Sequence, residues 1–162
     1  KFKIDETTVL PIEVAHSDHF LGYTFMKGKI NSPLKLPASM WDIKDGVNLV
    51  YHLNIKGKKI LFHPAANKSP YLKDYKSLSA EILFIGISKR KSTLAQIENI
   101  IKAVNPKIII PLHFDNFFFK LVQNPSHLPG VNIDEWEKTI KSKLPGLKIL
   151  RPKVAQWLDL SE

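Results

Sequence analysis

The sequence predicts an α/β domain built on a mixed β-sheet, and three observations lead to this fold class. Residues 47–55 alternate apolar and polar side chains, and a short turn joins them to an apolar stretch at 59–63, as in a β-hairpin. Two runs, 81–87 and 107–110, are apolar after a first charged residue and have the composition of buried strands. An amphipathic helical pattern lies between these runs, which is the order of a parallel β-α-β unit.

The N-terminal part of the chain predicts one strand followed by a long loop. Residues 8–15 have strand composition, and Pro11 within them indicates an edge position or a bulge. Residues 17–45 are rich in Gly, Pro and Lys and predict mainly a loop. Loops of this length in compact domains are usually functional or mobile.

Two helices are predicted in the C-terminal half of the chain. The first covers 92–104, where apolar residues recur at helical spacing, with Thr93 in a capping box and Asn105-Pro106 as the stop signal. The second begins at the Asn132 cap and ends at Pro145-Gly146. Short strands are predicted to close the domain at 147–150 and 154–157.

Length and composition indicate one domain or half-domain, residues 1–162. Hydrophobic residues make up 44% of the chain and charged residues 24%, as in ordinary globular proteins. No apolar run is long enough to span a bilayer, so we expect a soluble protein, cytoplasmic or exported. The chain begins at Lys1 without Met or a signal peptide, so we expect it to be an excised part of a longer protein.

The formal net charge of +9 comes from scattered lysines. The densest basic run, Lys89-Arg90-Lys91, is short and has no interleaved aromatic residues that would stack on bases. We interpret the charge as a solubilising surface, and we expect neither a nucleic-acid nor a membrane partner.

Residue types that can bind metals follow several of the predicted strands. Because the carboxyl ends of parallel strands meet at one edge of a sheet, ligand sites are built there. The chain has no cysteine, so a metal would be held by imidazole and carboxylate groups, which suit zinc, iron or manganese. The candidates are His16, Asp18 and His19 after 8–15, His63 at the end of the hairpin, and His113 and Asp115 after 107–110.

The histidines differ in their interpretation. His113 is the strongest candidate ligand. We predict that Pro111 breaks the strand, so that the His113 imidazole turns away from solvent into a cleft shared with His16, with His63 as a further candidate for that cleft. The alternative is an imidazole that hydrogen-bonds a neighbouring backbone group. His63 is balanced between a packed polar residue and a part of the site. His52 is predicted to be structural or exposed, and His127 to be a surface loop residue.

Three segments resemble motifs of the metallo-β-lactamase-fold hydrolases. "IIIPLHFDNFF" resembles their last metal motif, in which a buried strand ends in Pro-x-His-aromatic-Asp, and "AEILFIGIS" resembles their strand that ends in a Gly-rich turn. "LPIEVAHSDHF" resembles their strand that ends in a later histidine. The likeness runs from about Thr8 to Trp157 and implies the C-terminal half of an αββα sandwich, with a mixed sheet and helices on one face.

The resemblance implies a metal-dependent hydrolase of ester, lactone, amide or phosphoester bonds in a small-molecule substrate. His16, His113 and His63 would bind a divalent metal, zinc or else iron or manganese, and Asp115 would be a catalytic residue. Ser88 and Lys89 would line the pocket. The partner would be the missing N-terminal half of the same fold, without which we expect no activity.

The sequence also departs from the family pattern, which leaves a second function open. The run Val14 to His19 has only the second half of His-x-His-x-Asp-His, the family's most diagnostic signature. His63-Pro64 stands where the family usually carries a metal-bridging Asp. The alternative is a catalytically inactive, metallo-hydrolase-like domain that binds a ligand or a protein.

Overall fold

The computed structural model describes residues 1–14, 28–30, 32–44, 46–64, 75, 77–87, 94–116, 118–120, 126–154, 157 and 160. Their central feature is a mixed seven-stranded sheet in which the strands lie in chain order. No helix within these ranges is long and apolar enough to cross a membrane. The elements are β1 (Phe2–Ile4), β2 (Thr7–Val14), β3 (Asn48–Ile55), β4 (Lys58–His63), β5 (Ile82–Gly86), α1 (Leu94–Val104), β6 (Ile108–Leu112), α2 (Ile133–Lys143) and β7 (Lys148–Ile149).

The first four strands form an antiparallel meander that includes the predicted hairpin. Lys56 and Gly57, between β3 and β4, have φ angles of 50° and 89°, as a two-residue type I′ turn requires. The prediction for Pro11 is also confirmed. Pro11 pairs with Tyr51 on β3, whereas β1 pairs with β2 only as far as Val9, so among the described residues β2 has the position of an edge strand at Pro11.

The predicted parallel β-α-β unit is confirmed. β5 and β6 are parallel neighbours, with Leu83 opposite Ile109, and α1 connects them. The helix ends because Asn105 takes a left-handed conformation (φ 53°) while its N–H still donates to the carbonyl of Ile101 at 2.8 Å. Pro106 follows and cannot continue the helix.

One face of the sheet is covered by both helices, as predicted. Its central row contains Leu61, Leu83 and Ile109, which are completely inaccessible to solvent. Burial of each of these side chains contributes about 1.5–3 kcal/mol to the free energy of unfolding. The helices pack against this row through their own buried residues, which are Ile97, Ile100, Ile101, Val104, Ile133, Trp136 and Ile140.

The other side of the sheet, which we call the open face, is also apolar. Ile82, Ile108 and Ile110 are buried on it, and the side chains of Leu150 and Leu160 pack against them. Toward β3 and β4 this face is less buried: the rings of Phe62 and Phe84 contact each other at a 47° tilt, with centroids 5.9 Å apart, and both are only half-buried. The rows of this face are Val9, Leu53, Ile60, Ile82 and Ile108, and Pro11, Tyr51, Phe62, Phe84 and Ile110.

The chain end differs from the prediction. β7 is confined to Lys148–Ile149, and the strand predicted at 154–157 is wrong at its described residues, because Val154 lies in a turn and Trp157 is fully exposed. The physical reason is Arg151, whose guanidinium donates to Asp134 at 2.7 Å and to Glu137 at 2.9 Å. These bonds tie the chain to α2 after β7. Residues 92–93 of the first predicted helix lie outside the described residues.

The cap of α2 gives a stability prediction. The Asn132 side chain accepts a hydrogen bond from the Glu135 N–H at 3.1 Å, as expected from the sequence. We expect Asn132→Ala to lower the free energy of unfolding by about 1 kcal/mol, because a helix N–H loses its partner. Asn132→Asp keeps an accepting oxygen and serves as the control in denaturant unfolding. Equal losses in both variants would show that the cap does not stabilise the helix.

Candidate functional site

The topology brings the ends of four strands to one edge of the sheet. β2 is antiparallel to β3 and β3 to β4, so β2 runs in the same direction as β4. β4, β5 and β6 are parallel neighbours. The carboxyl ends of β2, β4, β5 and β6 therefore share one edge, which we call the carboxyl edge. Ligands of α/β sheets bind beyond such an edge.

His113 is the first residue after β6 at this edge. Its φ angle of 57° is in the left-handed region, which is uncommon for a residue other than glycine. Pro111 does not break the strand as predicted: it pairs with Ile85, and β6 continues to Leu112, whose carbonyl accepts from the Ile87 N–H at 2.9 Å. The turn is instead made at His113.

His113 is exposed to solvent, whereas the sequence predicted an imidazole turned into a cleft. His16, which would share that cleft, lies outside the described residues, so the shared cleft stays a prediction. The left-handed backbone conformation explains the exposure of His113, because it takes the residue out of the pleated alternation of β6. The exposure leaves His113 accessible at the carboxyl edge.

The loop after His113 folds back and pairs with itself. The Asn116 N–H donates to the Ser126 carbonyl at 2.7 Å, and the Leu128 N–H donates to the Phe114 carbonyl at 2.9 Å. Between these two bonds, Asp115 and His127 face each other in an isolated antiparallel bridge, and both are half-buried. His127, predicted to be a surface loop residue, is thus a direct neighbour of the candidate Asp115.

His63, the last residue of β4, lies in the core. It is completely buried, and its Nε2 is 3.1 Å from the hydroxyl oxygen of Tyr75, which is also buried. Its strand position is level with Ile85 and Pro111 on the helix-covered face. His113 is two residues after Pro111, which is level with His63. His113 is therefore about 7 Å further along the strand direction than His63.

Several predicted site residues lie outside the described residues: His16, Asp18, His19, Ser88 and Lys89. His16 follows the end of β2 by two residues in the sequence, so its strand ends at the carboxyl edge. Within the described ranges, no three His, Asp or Glu side chains are grouped closely enough to hold an ion. The metal ligands assigned from the sequence therefore stay a prediction.

The remaining described histidine has a structural contact. His52, in the middle of β3, has its Nε2 at 3.1 Å from the Ser79 carbonyl oxygen and ties that segment to the sheet. This agrees with the structural interpretation from the sequence.

A charged cluster lies where Arg151 contacts Asp134 and Glu137 of α2. The hydrogen bond and charge of Arg151 hold the pKa of the Asp134 carboxyl below its ordinary value, and the charge of His127 adds to the lowering, while burial acts in the opposite direction.

The buried pair gives a second stability prediction. Tyr75→Phe removes the hydroxyl that His63 Nε2 contacts, and a buried polar atom that loses its partner costs about 1–3 kcal/mol. We expect a fall of that size in the free energy of unfolding. Tyr51→Phe, on half-buried β3, is the control and should change it by less than about 0.5 kcal/mol. A neutral Tyr75→Phe would show that the contact does not stabilise the fold.

No protein-family model and no curated protein matches this sequence. Solved structures do match. One is a candidate Zn-dependent hydrolase of the metallo-β-lactamase superfamily from Thermotoga maritima, with 13% identity over 93% of this chain and a TM-score of 0.53. Another is a metallo hydrolase from the archaeon Ignicoccus hospitalis, with 14% identity over 83% of this chain and a TM-score of 0.50.

This likeness confirms the predicted fold class. The seven-stranded mixed sheet with both α-helices on one face matches the metallo-β-lactamase-like architecture of these neighbours. The chain spans 66% of the first protein and 60% of the second.

Proposed function

We propose that this chain supplies part of the active site of a metal-dependent hydrolase, which cleaves an ester, lactone, amide or phosphoester bond of a small-molecule substrate. The supporting observation is the carboxyl edge. The strands that precede His16 and His113, and the strand that ends in His63, all finish there. The fold that carries this edge is shared with proteins described as metallo hydrolases.

The donor chemistry fits a divalent ion, zinc or else iron or manganese, because imidazole and carboxylate groups bind all three. His113 and His16 would hold the ion. His63 would join them only through Nδ1, since Nε2 is engaged by Tyr75. A bound ion would polarise the substrate and lower the pKa of a water molecule. Because the described residues contain no group of three ligands, donors outside them must complete the site.

The remaining ligands would come from a second sheet, the N-terminal half of the same fold. The open face supports this proposal: Phe62 and Phe84 form an aromatic pair on it that is only half-buried. Apolar surface of this kind is stabilised by a covering layer, and two sheets packed face to face are a common solution. This chain covers 66% and 60% of the two neighbours, so each neighbour has further residues from which such a layer can be built.

Metal analysis tests the hydrolase proposal directly. The protein that contains both sheets should carry zinc, iron or manganese in near-stoichiometric amount and should lose turnover in the presence of a chelator. The 162-residue chain alone should turn over generic ester and phosphoester substrates poorly, because a metal needs a complete set of fixed ligands. Strong chelator-sensitive turnover by this chain alone would contradict the proposal.

The second candidate function is a catalytically inactive domain that binds a ligand or a protein. His63 favours it, because it stands where the resembling family carries a metal-bridging Asp, and it is buried against Tyr75. The same metal analysis separates the two functions. Absence of bound metal from the protein with both sheets would support the binding domain.

A further inference from the structure

The loops at the carboxyl edge carry exposed apolar side chains that the proposed metal site does not use. We propose that this edge docks the protein on an anionic lipid surface. The docking requires neither a metal nor turnover, so this inference goes beyond the proposed function and holds or fails without it. It differs from the expectation of no membrane partner, which rested on the scatter of the lysines along the sequence.

The exposed apolar side chains are concentrated at this edge. The loop from β2 to β3 starts and ends there, because Val14, the last residue of β2, pairs with Asn48, the first residue of β3. The loop after β6 also begins at the carboxyl edge. Among the described residues, these two loops hold eight of the twelve exposed large apolar side chains, six of them in the loop from β2 to β3. The other two are Phe118 and Phe119.

The described part of the loop from β2 to β3 is closed where it meets the sheet. The Gly46 N–H donates to the Gly28 carbonyl at 3.2 Å, two residues before β3 begins. The Cδ1 atom of Ile30, which is an exposed residue, lies 3.2 Å from the position that a Cβ atom of residue 46 would take. Ile30 is therefore held at this closure, beside the carboxyl edge.

Trp41 is attached to the same closure. It is 67% exposed and lies in a one-turn 3-10 helix, in which the Asp42 carboxylate accepts from the N–H and the hydroxyl of Ser39 at 2.8 and 2.9 Å. Lys44 Nζ donates to the Trp41 carbonyl at 3.2 Å. The Lys44 side chain also lies 3.4 Å from the position that a Cβ atom of Gly28 would take. These contacts hold an exposed tryptophan and a lysine together near the edge.

The exposed lysines of these loops favour lipid over protein as the partner. Lysine is depleted from the centre of protein–protein interfaces, whereas near an anionic bilayer each lysine strengthens binding. Tryptophan, other large apolar residues and lysine are together typical of helices and anchors at a membrane–water interface. Here each of four exposed lysines is next to an exposed apolar residue in the sequence. The runs are Lys29-Ile30, Leu34-Lys35-Leu36, Ile43-Lys44 and Phe119-Lys120.

The opposite edge of the sheet, which we call the amino edge, has a different surface. Lys56, in the turn between β3 and β4, pairs with Glu6 at 3.0 Å. Lys107, just before β6, pairs with Glu81 at 3.6 Å. A carboxylate beside each of these lysines reduces its attraction for an anionic surface. The two edges therefore differ in the way that docking through the carboxyl edge requires.

Vesicle co-sedimentation of the full-length protein tests the role of the lysines. The protein should bind vesicles of equal parts phosphatidylcholine and phosphatidylglycerol more tightly than pure phosphatidylcholine, and salt should weaken the binding. Lys35→Gln should lower the affinity for the mixed vesicles by about five-fold. Lys107→Gln removes the same charge at the amino edge and should change the affinity by less than about two-fold. Equal losses in the two variants, or no binding to the mixed vesicles, would overturn the proposal.

Matched apolar substitutions test which edge enters the lipid. Ile43 and Ile55 are 45% and 39% exposed and lie at the carboxyl and the amino edge. Ile43→Ser should lower the vesicle affinity by about ten-fold and Trp41→Ser by more, whereas Ile55→Ser should stay within about two-fold. Unchanged vesicle binding in Trp41→Ser, together with the loss of a dimer in analytical ultracentrifugation, would reject lipid docking in favour of a contact between copies.

A chelator separates this inference from the proposed hydrolase. Vesicle binding should stay unchanged when bound metal is removed, because the docking residues lie outside the proposed ligand set. A full-length protein that binds vesicles but no metal would reject the hydrolase and keep the docking surface. A metal-loaded, active protein that ignores anionic vesicles would keep the hydrolase and reject the docking surface.

Discussion

Replacing His113 with Ala in the protein that contains both sheets is expected to reduce metal binding and turnover by more than about 100-fold. The physical reason is the loss of a ligand at the carboxyl edge, where β6 ends. The fold should survive, because His113 is exposed and lies outside the strand. We expect the free energy of unfolding to change by less than about 1 kcal/mol. Metal content by mass spectrometry and thermal unfolding are measured on the same sample.

The left-handed backbone at His113 requires a matched control. Asn removes the imidazole but tolerates a positive φ better than most residues, so His113→Asn separates loss of the ligand from backbone strain. Both variants should lose the metal to the same extent. A protein that keeps its metal in either variant would show that His113 is not a ligand.

Replacing Phe84 with Asp is expected to have the largest effect on stability. Phe84 is central on the open face and packs against Phe62. Under a second sheet, the substitution would remove a buried ring and place an unpaired charge between the layers. We expect the free energy of unfolding of the protein with both sheets to fall by more than about 4 kcal/mol.

The comparison for this prediction is Phe119→Asp. Phe119 is 68% exposed in the loop after β6, so the same chemical change should alter stability by less than about 0.5 kcal/mol. Chemical denaturation of both variants measures the difference. If Phe84→Asp proved as mild as Phe119→Asp, the open face would not be covered by a second sheet.

The parts of the fold that were predictable from the sequence depend on local signals. Alternation over 47–55 and the Lys56-Gly57 turn specify the hairpin, because the turn type matches the twist of the strands. The β-α-β unit follows from a helix enclosed by apolar runs, with Pro106 as its end. In each case the decisive residues lie within one or two elements.

The details of the site depend on contacts between residues that are distant in the sequence. The bridge between Asp115 and His127 joins two separate stretches of the chain, and the sequence between 117 and 126 has no periodic pattern that would predict it. The buried His63 contacts Tyr75, which is 12 residues away in the sequence. His113 is exposed because of one backbone angle, and sequence patterns do not encode φ for a single histidine.

Anomalous X-ray diffraction at the zinc edge, on crystals of the protein with both sheets, tests the proposed site most directly. The proposal predicts one ion at the carboxyl edge, with nitrogens of His113 and His16 at about 2.0–2.1 Å from it. Imidazoles of His113 and His16 on opposite sides of the domain, with no ion common to both, would contradict it.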